Sequence, residues 1–243
     1  MAPGPLHLDN WRWGDIAVVA PRGRLEPGAF GQLRDHLATI GADTPRAVVV
    51  NLAGLEIETT ASLTVFATIH SRLAQWPGVP MLLVSEDPRR RKQLASRRVP
   101  AHDTVRAAVD AVTDLPPGRV TRTELTNELT SPRAARAFVR KACVAWGVGD
   151  LVDDAALLIG ELVSNTVVHT PSPSRLRVGL RRDLFSIAVY DDQPGEVCLR
   201  DPGAARSGVH GLLLVAQVAT AWGCAQTLAG GKVVWATLRA GAR

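Results

Sequence analysis

Between residues 10 and 113, short apolar runs alternate with longer stretches of helical period. "IAVVAPRG" and "PMLLVSE" read as strands, and "RAVVVNLAG" is apolar almost throughout, as in a parallel strand covered on both faces. Between them, "EPGAFGQLRDHLATIG" and "TASLTVFATIHSRLAQW" repeat apolar residues at helical spacing, and "TVRAAVDAV" closes this half as a further helix. The alternation predicts an α/β layer with parallel strands. At "TDLPPGRVT" two prolines and a glycine interrupt the pattern and place a linker at 114–120.

From 121 to 243 the pattern changes. "RTELTNEL" reads as an opening strand, and "SPRAARAFVRKACVAWG" as a helix with Ser131 at its N-cap and Pro132 at its first position. The helix through "DDAALLIGELVSNTVVH" follows, with Asp150 as its expected cap. "RLRVGLRR" and "LFSIAVYDD" form an antiparallel pair with a tight turn, "GLLLVAQVAT" a helix, and "WGCAQTLA" and "KVVWATLRA" a last pair joined at "GG". Helices grouped beside antiparallel strands predict an α+β sandwich.

The chain has 243 residues, 46% hydrophobic and 21% charged, a globular balance with room for two small cores. Its net charge of +5 is spread along the sequence except at "PRRRKQLASRRVP", residues 88–100. That run reads as a solvated helix or connector. No nucleic-acid-binding motif accompanies it, so no nucleic-acid partner is expected. Cys143, Cys198 and Cys224 show neither CxxC nor zinc-like spacing, which fits a reduced, cytoplasmic compartment. The opening "MAPGPLHLDNWRWGD" lacks the pattern of a signal peptide, and "GLLLVAQVATAWG" is too short and interrupted to cross a bilayer, so no membrane partner is expected.

Candidate chemistry lies in the second half. Glu161 and Asn165, four apart, share a helix face with Asp154, while Ile159, Leu162, Val163 and Thr166 share the other. Alone, that is what the water side of any amphipathic helix looks like. Asp191 and Asp192 end a strand, and a carboxylate there can accept from an exocyclic amino group or simply close a turn. Gly195 follows. Gly208 and Gly211 flank a helix start, where backbone N–H groups can meet a phosphate. Lys232, after Gly230 and Gly231, either caps a strand pair or leans on an anion.

Taken in order, "ELVSNTVVH", the aspartate after a strand, "SGVHGLLLV" and "GKVVW" resemble the GHKL (Bergerat) nucleotide-binding superfamily, over residues 121–240. The nearest resemblance is to its bacterial anti-sigma-factor serine/threonine kinase branch. This implies ATP and Mg²⁺ as cofactors, Asn165 as the magnesium ligand and Glu161 as general base. Asp191 would read the adenine amino group, and Gly208–Gly211 would form a lid over the phosphates. Two positions depart from the family pattern: Gln193 stands where a glycine is usual, and His210 where arginine is common.

The first half, with "VVAPRGRLEPG" and "VVVNLAGLEIETTASL", resembles a STAS domain, the fold of anti-sigma-factor antagonists. In the matching register Asn51 stands at an acidic position, and Thr59, Thr60, Ala61 and Ser62 cover the run whose second serine accepts phosphate. That acceptor position is Ala61, which has no hydroxyl; Thr60 and Ser62 flank it and are also ordinary helix-start residues. Together the resemblances imply a regulator of the partner-switching type. It would be a kinase acting on a STAS-domain antagonist, a sigma-factor binder, or both, with a non-catalytic binding scaffold as the alternative. An intramolecular contact between the halves and a homodimer are left open.

Overall fold

The computed structural model describes residues 6–126, 128, 131–169, 173–193 and 209–241. The chain divides into two compact units, Met1–Pro117 and Gly118–Arg243.

In the first unit, β1 (His7–Trp13) turns at Gly14, whose φ of 61° suits glycine, into β2 (Ile16–Arg24). Then follow α1 (Phe30–Ala42), β3 (Val48–Asn51), β4 (Leu55–Glu56), α2 (Thr64–Gln75) and β5 (Met81–Val84). The unit ends with α3 (Pro88–Ser96), β6 (Ala101–His102) and α4 (Val105–Thr113). The sheet order is β1-β2-β3-β5-β6, with β4 on β2. β1 runs antiparallel to β2 and the other pairs are parallel.

Both faces of this sheet are covered, which explains why its central strand is apolar throughout. Val48 and Val50 join Leu33, Leu37, Phe66, Ile69 and Leu73 beneath α1 and α2. Val49 points the other way, to Ala108, Val109 and Val112 of α4. All three valines are fully buried. The α/β layer with parallel strands is therefore present, and β1 is an addition that the sequence pattern did not announce.

The second unit contains β7 (Arg119–Leu125), α5 (Ser131–Trp146), α6 (Val152–His169), β8 (Ser174–Arg181) and β9 (Leu184–Asp191). It ends with α7 (Val209–Val218), β10 (Ala221–Gln226) and β11 (Lys232–Arg239). Arg119 and Val120, inside the stretch expected as linker, open β7. The five strands are ordered β10-β11-β9-β8-β7 and every pair is antiparallel. Leu176, Val178, Phe185, Ile187, Val189, Ala236 and Leu238 on the strands meet Val139, Cys143, Leu158, Ile159, Leu162, Val163 and Val215 on the helices in one core. Trp146 packs edge-on against Phe185 with centroids 6.1 Å apart. This is a sheet with helices on one face, as the grouping of elements implied.

Two capping expectations are corrected. The Ser131 hydroxyl bonds backward, donating to the Thr126 carbonyl and accepting from Glu128 N–H, so it fixes the exit from β7 rather than the helix start. Asp150 lies in a 3-10 turn, Gly149–Leu151, before α6 and accepts from Gly241 N–H at 3.4 Å. Among the described residues no helix is long and apolar enough to cross a membrane.

Candidate functional site

α6 sorts its residues as an amphipathic helix must. Ile159, Leu162 and Val163 are buried in the core, and the Thr166 hydroxyl returns to the Leu162 carbonyl at 3.0 Å. Glu161 and Asn165 stay half-exposed, one turn apart on the other side. α6 packs against β9, whose last residue is Asp191.

Asp191 is only 4% exposed. Its Oδ1 accepts the Gln193 N–H at 2.7 Å, and its Oδ2 lies 3.3 Å from the Lys232 ammonium. The pair follows from strand register, because Lys232 is the first residue of β11 and stands directly opposite Asp191. Gly231 makes the approach feasible: a Cβ there would lie 2.3 Å from the Asp191 carbonyl oxygen and 2.9 Å from Asp192 Cα. Lys232 thus leans on an anion, and that anion is the chain's own carboxylate. Asp192 points outward to Arg175 at 3.1 Å, and the Arg175 guanidinium sits 5.7 Å from the Tyr190 ring centroid.

Gly211 is the third residue of α7. Gly195 and Gly208 lie outside the described residues. The structure therefore places Glu161, Asn165, Asp191 and Lys232 in one unit, on α6 and on the neighbouring strands β9 and β11.

Magnesium is a hard cation that keeps much of its water and takes few protein oxygens where phosphates supply the rest. Among the described residues no cluster of three or more His, Cys, Asp or Glu side chains could hold a metal alone. Asn165 and Glu161, half-exposed one turn apart on α6, offer one amide oxygen and one carboxylate, a donor set too small to hold the ion without phosphate oxygens.

One charged residue escaped the sequence reading. Arg177 on β8 is 7% exposed, donates from Nη1 to the Ser186 hydroxyl at 3.4 Å, and has an Nε with no partner among the described residues. Burial pulls its pKa down and Tyr190 acts against that shift, while Arg122 and Arg181 add to it. Only sheet pairing reveals this crowding, since Arg122 stands opposite Arg177 across β7 and β8.

In the first unit, Asn51 ends β3 and accepts from Ala53 N–H at 3.1 Å, closing a turn. Thr60–Leu63 form a 3-10 segment leading into α2. Thr59, Thr60 and Ala61 are exposed, whereas Ser62 is buried and its hydroxyl lies 3.0 Å from that of Thr59. Arg97 donates to the Thr60 carbonyl at 3.1 Å.

No family model matches this chain, and no curated protein does. Among solved structures, an anti-sigma factor antagonist from Mycobacterium paratuberculosis is similar at 20% identity and a TM-score of 0.39, over 45% of this chain and 95% of that chain. The anti-sigma factor antagonist SpoIIAA in its unphosphorylated form is similar at 18% identity and a TM-score of 0.36, over 45% of this chain and 99% of that chain.

Proposed function

We propose that this chain is an ATP-binding regulator of the partner-switching type, an anti-sigma-factor serine/threonine kinase acting on a STAS-domain antagonist. The observation that carries the reading is the half-exposed Glu161–Asn165 pair on α6, in the same unit as the buried carboxylate of Asp191. On this reading Asn165 holds Mg²⁺, which neutralises phosphate charge when bound. Glu161 takes the proton of the incoming hydroxyl, and Asp191 accepts from the adenine amino group. Phosphoryl transfer depends mainly on positioning and charge neutralisation, so this small set of groups suffices.

A second reading is favoured by a different observation. The Asp191 carboxylate already accepts from Gln193 and faces Lys232, and Ala61 offers no hydroxyl in the first unit. Under that reading the second unit is a scaffold that binds a regulatory protein without turnover.

Thermal melting with Mg²⁺–ATP tests the first reading. Ligand at 100 times its dissociation constant stabilises the folded state by about 2.7 kcal/mol. The expected result is a melting temperature raised by roughly 5–10 °C in wild type and not in Asn165→Ala or Asp191→Asn. Glu161→Ala should keep the shift and lose phosphate transfer to an antagonist. No shift in wild type refutes nucleotide binding; a shift without transfer to any antagonist selects the scaffold.

A further inference from the structure

The first unit is almost neutral, with thirteen Arg and Lys against twelve Asp and Glu in residues 1–117, yet six of those cations fall between 89 and 98. Elsewhere in the unit cations are commonly matched. Arg22, Arg24, Arg34 and Arg106 each have an Asp or Glu oxygen within 4.0 Å. None of the cations on α3 or just beyond it has such a partner among the described residues. Arg91 spends its guanidinium on the Ser85 and Glu86 carbonyls, and Arg97 on those of Gln93 and Thr60. Among the described residues Arg89, Arg90, Lys92 and Arg98 form no ion pair or side-chain hydrogen bond, and Arg89, Lys92 and Arg98 are exposed.

Local stability opposes this arrangement at two places. Arg89 and Arg90 occupy the first turn of α3, at the positive end of its dipole, with no acidic residue in that turn; only the Asp87 cap offsets them. Arg98 has φ of 60° just past the helix end, a left-handed position where glycine is the relaxed choice. The helix is held down by Leu94, which is fully buried in the core, and Arg89, Lys92 and Ser96 recur on the side away from it. Local choices that weaken a fold and all place charge outward mark a surface kept for something else.

We infer that the outer face of α3, with Arg98, is a docking surface for an acidic patch on a protein partner. The partner is a protein rather than a nucleic acid because the charge is local. A near-neutral unit with one nine-residue basic helix offers no extended track for a phosphate backbone, and no exposed aromatic residue lies in 88–98 to stack on a base. The inference is independent of nucleotide binding in the other unit.

Isotope-labelled full-length protein titrated with an oligo-glutamate peptide, and separately with a DNA duplex, tests it. The peptide should shift the backbone resonances of residues 89–98, with affinity falling as salt rises. Arg89→Glu/Lys92→Glu should weaken it at least about tenfold, a loss of roughly 1.4 kcal/mol in binding. Arg34→Glu/Arg106→Glu, which alters cations that already have partners, should leave it unchanged. Arg98→Gly should weaken binding while raising the melting temperature, an opposition that a purely structural arginine would not produce. The inference is overturned if the duplex binds more tightly than the peptide. It is equally overturned if the peptide shifts α5, where Arg133, Arg140 and Lys141 are also exposed, instead of α3, or if the Arg89→Glu/Lys92→Glu protein binds like wild type.

Discussion

Two glycines of the second unit give opposite predictions, although each has a neighbour closer than any real Cβ allows. At Gly231 the obstacle is backbone: the Asp191 carbonyl oxygen at 2.3 Å and Asp192 Cα at 2.9 Å from an added Cβ. At Gly160 it is the tip of a side chain, Arg136 Nε and Nη2 at 2.5 Å. Backbone in a paired sheet moves only by taking its partner strand along. Restoring ordinary contact at residue 231 means parting β9 and β11 locally by roughly 1 Å, enough to break a ladder hydrogen bond of about 2.9 Å.

One lost ladder bond costs about 1 kcal/mol, and overpacking typically adds about 1–3 kcal/mol. Gly231→Ala is therefore expected to destabilise the second unit by about 2–4 kcal/mol, a fall in melting temperature on the order of 10 °C. The Lys232–Asp191 pair would loosen with it, so stabilisation by Mg²⁺–ATP should shrink as well. Gly160→Ala gains about 1 kcal/mol of helix propensity. The half-buried Arg136 can swing aside, so the net effect there is neutral or stabilising. Calorimetry on the three proteins decides the matter. A Gly231→Ala transition within about 2 °C of wild type, or Gly160→Ala as the more damaged variant, would refute the reasoning.

Acid should weaken the first unit. Burial lowers the pKa of His70, whose Nδ1 lies 3.2 Å from the Met81 carbonyl, and of His36 below the ordinary 6.5. The unfolded chain therefore takes up these protons first. Their stabilising contribution is complete above pH 6.5 and is lost as pH falls below it, through the lower folded values. Urea midpoints at pH 8 and pH 5 should show a smaller acid loss in His70→Gln than in wild type, and equal losses would contradict the assignment. Burial, with the Asp150 charge next, pushes the Cys143 thiol up to about 11, while Cys224 is exposed. In a Cys198→Ser background, one thiol should react with a disulfide reagent at pH 8 and Cys143 only after denaturation; two fast thiols would show that Cys143 is accessible.

The legible parts of the fold are those where burial and local pattern agree. The valines of β3, the two faces of α6 and the turn between β8 and β9 each carry their signal within a few residues. β1 was not legible because it is an edge strand: Trp11 and Trp13 are 42% and 41% exposed, so the alternation that would mark a strand is missing. β4 and β6, of two residues each, fall below any periodic signal. α3 was legible only as a solvated helix or connector, since a single buried leucine holds it to the core. For the candidate site, the helix face was readable and the Asp191–Lys232 contact was not. That contact depends on β11 entering the sheet between β10 and β9, a matter of strand order that no local pattern contains.

The proposed kinase reading has a consequence for where its phosphate can go. In the segment where a STAS antagonist would carry its acceptor, Ala61 has no hydroxyl, and the Ser62 hydroxyl is buried against that of Thr59. A buried hydroxyl cannot reach a general base on another surface without unwinding the 3-10 turn that leads into α2. Thr60 keeps an exposed side chain, while its carbonyl is held by Arg97 at the end of α3. On the proposed reading, transfer at the usual position is therefore closed to this chain's own first unit, which leaves the exposed Thr60 hydroxyl or a substrate on another molecule. A substrate in trans has to be captured from solution, where encounter depends on electrostatic steering as well as on contact area. On the proposed reading, the exposed cations Arg89 and Lys92 of α3, with Arg98 just past its end, would supply that steering to an acidic partner.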